Sequence, residues 1–398
     1  MKILLITNLF PNSKQPGLAA YNLQQLKSLN RHKNISVEVI APVPWVPSYK
    51  WLPEPLLKAL DSRILLEHEI IDGINVYHCQ YLVIPKILRF LHGIFFYFGI
   101  KKLVKQRQAE KSFDVVLSAW GWPDVFGSVL ICKQLGLPIV ANLLGSDIHL
   151  YSKISTLRIQ MKWAFKQCQH LVCVSKTLSS RLIEIGLPEK NMTVLLNGVD
   201  HKVFYPREFI ESAKKLNLQS GKQRILFVGN FYPVKGVDIL IKAFSLVSKE
   251  IDNLELMLVG DGQKAEAIKN QIQSLGLEKQ VKFVGRQPHD KTPLWFNACD
   301  VFCLPSRSEG CPNVVLEAVA CGCIIVASDV GSVYDILENN KNAIVVPNGD
   351  IEAMAIALIE SLRKEKIVKL DELSLWPSWD DNADKLKNIL SISSNLSK

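Results

Sequence analysis

The stretch Val301-Phe302-Cys303-Leu304-Pro305-Ser306-Arg307-Ser308-Glu309-Gly310-Cys311-Pro312-Asn313-Val314-Val315-Leu316-Glu317-Ala318 reads as a buried strand, a tight loop and the start of a helix. Residues 301–305 are apolar without alternation, as a strand covered on both faces should be. Gly310 and Pro312 shape the loop. The helix starts near Asn313, where free N–H groups and the positive end of the helix dipole favour an anion. A loop leaving the carboxyl end of a strand is where open α/β sheets bind ligands. Glu309 lies in the loop and Glu317 about one turn into the helix, a spacing that lets two carboxylates grip hydroxyls on two rings of one ligand. The competing reading is a surface Glu followed by a solvated helix Glu. It is weakened for Glu317 by Val314, Val315 and Leu316 before it and Ala318, Val319 and Ala320 after it.

The same strand-then-helix grammar runs through the chain. Strands are expected over 2–10, 36–41, 114–120, 138–144, 170–175 and 192–196, with helices near 18–31, 86–110, 123–135, 154–168 and 176–186. A second series follows, with strands over 224–229, 254–260, 281–285, 301–305, 324–328 and 343–347 and helices near 237–250, 263–275, 313–321, 330–338 and 350–364. Alternation of this kind predicts parallel sheets with right-handed crossovers. The 398 residues, 48% hydrophobic and 21% charged, suffice for two full cores and exclude a disordered chain. The reading is twin Rossmann-like domains of α/β class, 1–205 and 206–378, joined within a polar stretch at 201–222. A last helix, about 379–393, can pack back on the first domain. Residues 42–55, rich in proline, read as a loop.

Charge is lopsided. Residues 1–200 hold 23 basic and 13 acidic residues, and residues 201–398 hold 24 and 25, so the net charge of +9 belongs to the first half. That points to an anionic partner. The segment 81–107 mixes Leu82, Ile84, Ile87, Leu88, Phe90, Phe95, Phe96 and Phe98 with Lys86, Arg89, Lys101, Lys102, Lys105 and Arg107. It suits docking at an anionic membrane surface, with packing onto the sheet as the competing explanation. A nucleic-acid partner is not expected, because no binding motif accompanies the charge. After Lys2 the apolar run stops at Thr7-Asn8, too short for a secretory signal. No stretch of 18 apolar residues lacks charge, so no spanning helix is expected. Nine scattered Cys with no C-x-x-C pair read as buried residues in a reducing cytosol, not as zinc ligands.

Two further glycine loops follow strands. In Phe227-Val228-Gly229-Asn230-Phe231-Tyr232-Pro233-Val234-Lys235-Gly236, Gly229 allows close backbone approach and Lys235 stands just before a helix, placed to meet a phosphate. Leu258-Val259-Gly260-Asp261-Gly262-Gln263-Lys264-Ala265 satisfies G-x-G-x-x-A, the fingerprint of a dinucleotide site. Against that, it opens the second strand of its domain, and Arg286 follows the next strand where an acidic residue belongs. An NAD(P)-dependent oxidoreductase therefore rests on this match alone.

Taken in order, V-G-x-x-x-x-x-K-G, V-G-D-G and P-S-x-x-E-G-x-P-N-x-x-x-E-A resemble the retaining glycosyltransferases of family 4, whose GT-B fold sets two Rossmann-like domains face to face across a cleft. Leu196-Asn197-Gly198-Val199-Asp200 resembles the family's hinge signature, and Leu143-Leu144-Gly145-Ser146-Asp147 its acceptor-side H-G-S-D loop. The resemblance implies that Glu309 contacts the donor hexose, Glu317 the ribose and Lys235 the diphosphate. It puts Gly229, Asn230, Gly260, Gly310, Cys311, Pro312 and Asn313 around the donor and Arg286 near the nucleobase. Gly17, Gly145 and Asp147 would meet the acceptor, Asp147 either orienting it or acting as a loop cap. The implied reaction moves a hexose from a UDP- or GDP-sugar to a lipid-linked or polysaccharide acceptor at the cytoplasmic membrane face, in surface polysaccharide synthesis. No D-x-D metal motif is present. Lys235 and the helix starts near 237 and 313 are expected to take the metal's part, with no cofactor. The sequence departs from the family at Asn230, where Arg is usual beside the diphosphate, at Leu144, where His is common, and at Ser332 and Asp335. Arg307 or Arg286 is expected to compensate for Asn230. The departures keep open a catalytically impaired relative that only binds sugar nucleotide.

Overall fold

The computed structural model describes residues 1–46, 66–84, 88–364 and 376–395. The chain divides into two compact units, Met1–Asn197 with Trp379–Lys398, and Gly198–Ser378. The division falls at the start of the hinge-like segment, ahead of the 205/206 position read from composition. Val199 already belongs to the second unit, donating its N–H to Pro377 O at 3.0 Å.

Unit 1 is built on β1 (Lys2–Ile6), β2 (Ser36–Ile40), β4 (His68–Ile71), β5 (Ile74–Tyr77), β7 (Val115–Ala119), β8 (Ile139–Leu143), β9 (His170–Cys173) and β10 (Met192–Val194), which form one sheet in the order β10-β9-β8-β7-β1-β2-β5-β4. All pairs are parallel except β4 with β5. Composition did not reveal β4 and β5, whose residues are too polar for a doubly covered strand. The signal lies in Asp72-Gly73, both at positive φ, which is the two-residue turn of a hairpin. A short parallel pair, β3 (Val43–Trp45) and β6 (Gln80–Leu82), stands apart, so part of the expected 42–55 loop is strand; residues 47–55 lie outside the described residues.

The sheet is packed by α1 (Ala20–Asn30), α2 (His92–Lys111), α3 (Phe126–Leu135), α4 (Ser146–Tyr151), α5 (Ser155–Phe165) and α6 (Lys176–Glu184). Helix α2 answers the question raised by segment 81–107. Phe96, Tyr97, Ile100 and Val104 are buried, Phe96 edge-on to Tyr81 of β6 and against Gly127 of α3, and Arg107 is buried in a bidentate pair with Glu38 at 2.8–3.0 Å. Leu88, Phe90 and Phe98 face solvent beside Arg89, Lys102 and Lys105. Lys86 and Ile87 lie outside the described residues. No helix among the described residues is long and apolar enough to cross a membrane.

Unit 2 is a six-stranded sheet, entirely parallel, of β11 (Gln223–Val228), β12 (Leu254–Val259), β13 (Val281–Gly285), β14 (Val301–Leu304), β15 (Ile324–Ser328) and β16 (Ala343–Val346), in the order β13-β12-β11-β14-β15-β16. Its helices are α7 (Phe209–Lys215), α8 (Val237–Val247), α9 (Ala265–Ser274), α10 (Thr292–Asn297), α11 (Asn313–Ala320), α12 (Val333–Leu337) and α13 (Ile351–Arg363). Phe227, Leu240, Phe244, Leu256, Leu258 and Val326 are among its fully buried core side chains.

The final helix, α14 (Trp379–Asn395), returns to unit 1. Ala383, Leu386 and Leu390 join the core under β1 and β2. Inside that apolar contact sits a polar clamp: Asn382 donates to Leu196 O at 2.7 Å and accepts from Gln25 at 2.8 Å, while Asn142 donates to Gln25 at 3.2 Å. A buried amide so paired is costly to replace, because its partners lose water and bond together. Asn382→Leu should lower unfolding free energy by about 2–4 kcal/mol, read as a fall in the urea midpoint at unchanged slope.

In the loops beyond the carboxyl ends of the strands two buried aspartates stitch loops together. Asp124 accepts the Asn8 N–H at 2.6 Å, joining the loops after β7 and β1, and Asp147 accepts the Gly121 and Ile148 N–H groups, joining those after β8 and β7. Burial pushes both carboxyls up, and the like charge of nearby Asp147 raises Asp124 further. Asp124 is lifted well above its ordinary 3.8, so the folded state holds this proton more tightly than the unfolded chain does. Stability from this group is then present in acid and lost as pH rises toward its folded-state pKa. Asp124→Asn, which keeps an oxygen for Asn8, should flatten the decline of melting temperature from mildly acid to mildly alkaline pH.

Candidate functional site

The order of unit 2 reverses between β11 and β14: later strands β12 and β13 lie on one side, β15 and β16 on the other. Crossovers leaving these two neighbours go to opposite faces, so the loops at their carboxyl ends part and leave room for a ligand. Those loops are 229–236 and 305–312, the two motifs singled out by sequence. They press on each other through bare backbone. Gly236 has φ 64°, and a Cβ there would stand 1.9 Å from Pro305 O. The Gly260-Asp261-Gly262 loop does the same beside them: at φ 142° a Cβ on Gly260 would stand 1.9 Å from Gly229 O, and one on Gly262 would meet the Phe231 backbone. The glycines of the G-x-G-x-x-A match are thus accounted for by loop-on-loop packing within the sheet end.

Lys235 ends a 3₁₀ turn, Pro233–Lys235, held by its N–H to Tyr232 O at 2.9 Å. Its Nζ lies 2.7 Å from Glu309 Oε1, which also accepts from Ser306 Oγ at 2.6 Å. The side chains are 26% and 10% exposed, so a cation and an anion face each other at the edge of solvent. An arriving phosphate can take the ammonium, and the released carboxylate can then accept hydroxyls. Gly310, Cys311 and Pro312 carry the loop from Glu309 to Asn313, the first residue of α11. The loop is supported from beneath: Ser332 N–H donates to Gly310 O at 3.0 Å, and Gly331 packs on the carbonyls of Glu309 and Gly310.

Helix α11 buries Val315, Leu316, Ala318, Val319 and Ala320, and Glu317 emerges on its other face. Glu317 Oε1 meets His289 Nε2 at 2.9 Å, and this contact holds His289 above its ordinary value. Sequence reading missed His289. Its signal was position, just past Pro288 in the loop after β13.

The other expected donor residues are placed as follows. Asn230 is exposed beside Gly229, and Arg286 is exposed just beyond β13. Arg307 does not turn toward Lys235. It forms a bidentate pair with Asp238 at 2.6 and 2.8 Å and donates to Pro233 O at 2.8 Å, which draws Asp238 below the usual carboxylate range. Its guanidinium is committed to the start of α8.

Unit 1 has its own reversal between β1 and β7, and the residues expected to meet the acceptor lie in the loops after β1 and β8. Gly145 (φ 100°) turns the chain into α4, and Asp147 is fully buried with its oxygens on backbone N–H groups, the geometry of a loop cap. Gly17 is exposed in the loop leading to α1, and Leu144 is buried where the family pattern has His. Asp124 was not singled out by sequence. It is fully buried, its Oδ1 lacks a hydrogen-bond partner, and Thr7 and the unpartnered Oδ1 of Asn8 are its neighbours. The signal for it was a Pro-Asp step opening a helix directly after a strand. Among the described residues no cluster of His, Cys, Asp and Glu is arranged to hold a metal ion.

Residues 208–372 match the family described as Glycosyl transferases group 1, and residues 17–203 match Glycosyltransferase Family 4. The chain is 26% identical over 381 residues to the putative teichuronic acid biosynthesis glycosyltransferase TuaC of Bacillus subtilis, covering 94% of this chain and 90% of that one. It is 25% identical over 268 residues to the N-acetyl-alpha-D-glucosaminyl L-malate synthase of Bacillus anthracis, covering 67% and 69%. It is 24% identical over 349 residues to the GPI3 subunit of the Saccharomyces cerevisiae phosphatidylinositol N-acetylglucosaminyltransferase, covering 85% and 75%. Among solved structures, Anabaena Alr3699/HepE in complex with UDP and glucose aligns with a TM-score of 0.70 at 20% identity, over 98% of this chain and 99% of that one. The sucrose-phosphate synthase of Thermosynechococcus elongatus aligns with a TM-score of 0.70 at 18% identity, over 100% and 97%. Two parallel-sheet units, each with its loops gathered at a strand-order reversal, and two family matches that together run from residue 17 to residue 372 lead to one conclusion: the chain belongs to glycosyltransferase family 4 and has the GT-B fold.

Proposed function

We propose that this glycosyltransferase moves a hexose from a UDP- or GDP-sugar to a lipid-linked glycan or polysaccharide acceptor, with retention at the anomeric carbon. The observation that carries the reading is the Lys235–Glu309 pair, 2.7 Å apart at the β11/β14 reversal of unit 2. Lys235 meets the diphosphate as its negative charge grows, and the positive end of the α11 dipole adds to it. Glu309, freed of its partner, accepts hydroxyls of the hexose, and Glu317 accepts those of the ribose. The bond from anomeric carbon to phosphate oxygen breaks. The acceptor oxygen attacks from the same face, and its proton passes to the departing phosphate oxygen. Every charge in this account belongs to the chain or to the substrate, so turnover requires no metal. The UDP-bound neighbour and the teichuronic acid and phosphatidylinositol-directed relatives support a nucleotide-sugar donor and an acceptor of glycan or lipid type.

The acceptor is taken by unit 1, where Asp147 holds the loops in place and Asp124 lies at the β1/β7 reversal. Membrane contact at the cytoplasmic face is made by the outward residues of segment 81–107. Phe90 and Phe98, 43% and 64% exposed, insert beside Arg89, Lys102 and Lys105. The excess of basic residues in the first half supports this.

The purified protein should release nucleoside diphosphate from one member of a panel of UDP- and GDP-hexoses, and EDTA should leave the rate unchanged. Glu309→Gln should lower that rate by roughly 10²-fold with little change in nucleotide affinity, measured as nucleoside diphosphate release by a coupled assay. Lys235→Ala should weaken calorimetric binding of the nucleoside diphosphate by roughly tenfold or more. An impaired relative that only binds would show affinity in calorimetry with no Glu309-dependent turnover. In flotation with anionic vesicles, Phe90→Ser combined with Phe98→Ser should shift the protein to the unbound fraction.

A further inference from the structure

We infer that His289 is a positioning residue of the donor site, fixing Glu317 and tying it to the segment that opens unit 2. The inference rests on the reading of Glu317 as the carboxylate that receives the ribose.

Three contacts define the arrangement, all within unit 2. His289 Nε2 holds Glu317 Oε1 at 2.9 Å. The imidazole stands edge-on to Phe204, with ring centroids 5.0 Å apart and planes at 64°. Phe204 in turn packs on Phe296 and is 1% exposed, so it is a fixed wall. Segment 198–204 is itself anchored: Val199 N–H donates to Pro377 O, and the His201 ring meets Trp376 O at 3.1 Å. The backbone at His289 is held by Thr292 Oγ1, which donates to His289 O at 2.5 Å.

A glutamate on a helix surface has three side-chain rotors, and a ligand must order them on binding. Here one oxygen is already held. Glu317 Oε2 has no bonded partner among the described residues and is the oxygen left to accept a ribose hydroxyl. His289 is thus a second layer that orders a first, in the way that outer partners orient ligating side chains at other polar sites. The charged groups facing the imidazole are Glu317 from α11, Asp200 from the opening segment and Asp290 from its own turn, all acidic. They favour the imidazolium. The protonated ring holds Glu317 more firmly than the neutral one, so a nucleotide that uses the ordered carboxylate stabilises the protonated ring. By linkage its binding takes up protons, and its affinity falls as pH rises through the range just above 6.5, the ordinary histidine value.

The opposite arrangement is equally concrete. If His289 were a plug that nucleotide must displace from Glu317, binding would release protons and removal of the ring would tighten it. Calorimetry of the full chain with UDP and with GDP separates the two, run at pH 6.5 and 8.5 in buffers of different ionisation enthalpy. For the nucleotide that binds wild type, His289→Ala should weaken affinity about threefold to fivefold at pH 6.5, a modest change because the ring is largely exposed. His289→Gln, which keeps a donor for Glu317 Oε1, should recover affinity to within about twofold and abolish both the proton uptake and the pH dependence. Glu317→Ala, which removes the acceptor, should make His289→Ala silent, as a shared pathway requires. Unchanged or tighter binding by His289→Ala, or proton release by wild type, overturns the inference while leaving the donor reading intact. Wild type that binds neither UDP nor GDP overturns the donor reading, and the inference with it.

Discussion

Lys235 and Glu309 neutralise each other across two loops that have no reason to meet except the strand order of the sheet. One comes after β11 and the other after β14, 74 residues apart in sequence, and the ammonium and carboxylate end 2.7 Å apart. Around them the loops touch through glycine and carbonyl, with Gly236 on Pro305 and Gly260 on Gly229. A side chain at Gly236 would force the 229–236 and 305–312 loops apart. The polar chemistry of the unit therefore depends on close backbone packing, which costs no polar side chain and leaves both charged groups facing the opening.

Unit 1 treats the equivalent place differently. Its loops after β1, β7 and β8 are tied by two carboxylates that have no cationic partner in bonding contact among the described residues, Asp124 on Asn8 and Asp147 on Gly121. Backbone N–H groups offset part of the cost of burying them, and burial raises both toward the neutral form. The contrast fits a division of work in which one unit neutralises a strongly anionic ligand and the other presents fixed loops to an uncharged hydroxyl.

Helix α2 carries apolar side chains both inside and outside. Its inner stripe of Phe96, Ile100 and Val104 is fully buried, and Arg107 is drawn inside by Glu38. The aromatic side chain it leaves outside is Phe98, close to basic residues. A composition rich in aromatics and cations cannot distinguish these faces, because the sheet and a membrane offer the same apolar contact.

The sequence by itself determined the alternation of buried strands and amphipathic helices, the two-unit division, and the loops that carry Lys235, Glu309 and Glu317. Those features are local: unbroken apolar runs, glycines at strand ends and a proline before a helix act through neighbours along the chain. Only the tertiary structure decided which loops meet. It paired Lys235 with Glu309, gave Arg307 to Asp238, brought His289 to Glu317, and returned α14 to unit 1 through Asn382. It also turned Asp147 inward as a cap and left Oδ1 of the buried Asp124 without a hydrogen-bond partner among the described residues. Such contacts are set by strand order and register over tens to hundreds of residues, and no local propensity encodes the distance between two side chains that the sheet alone brings together.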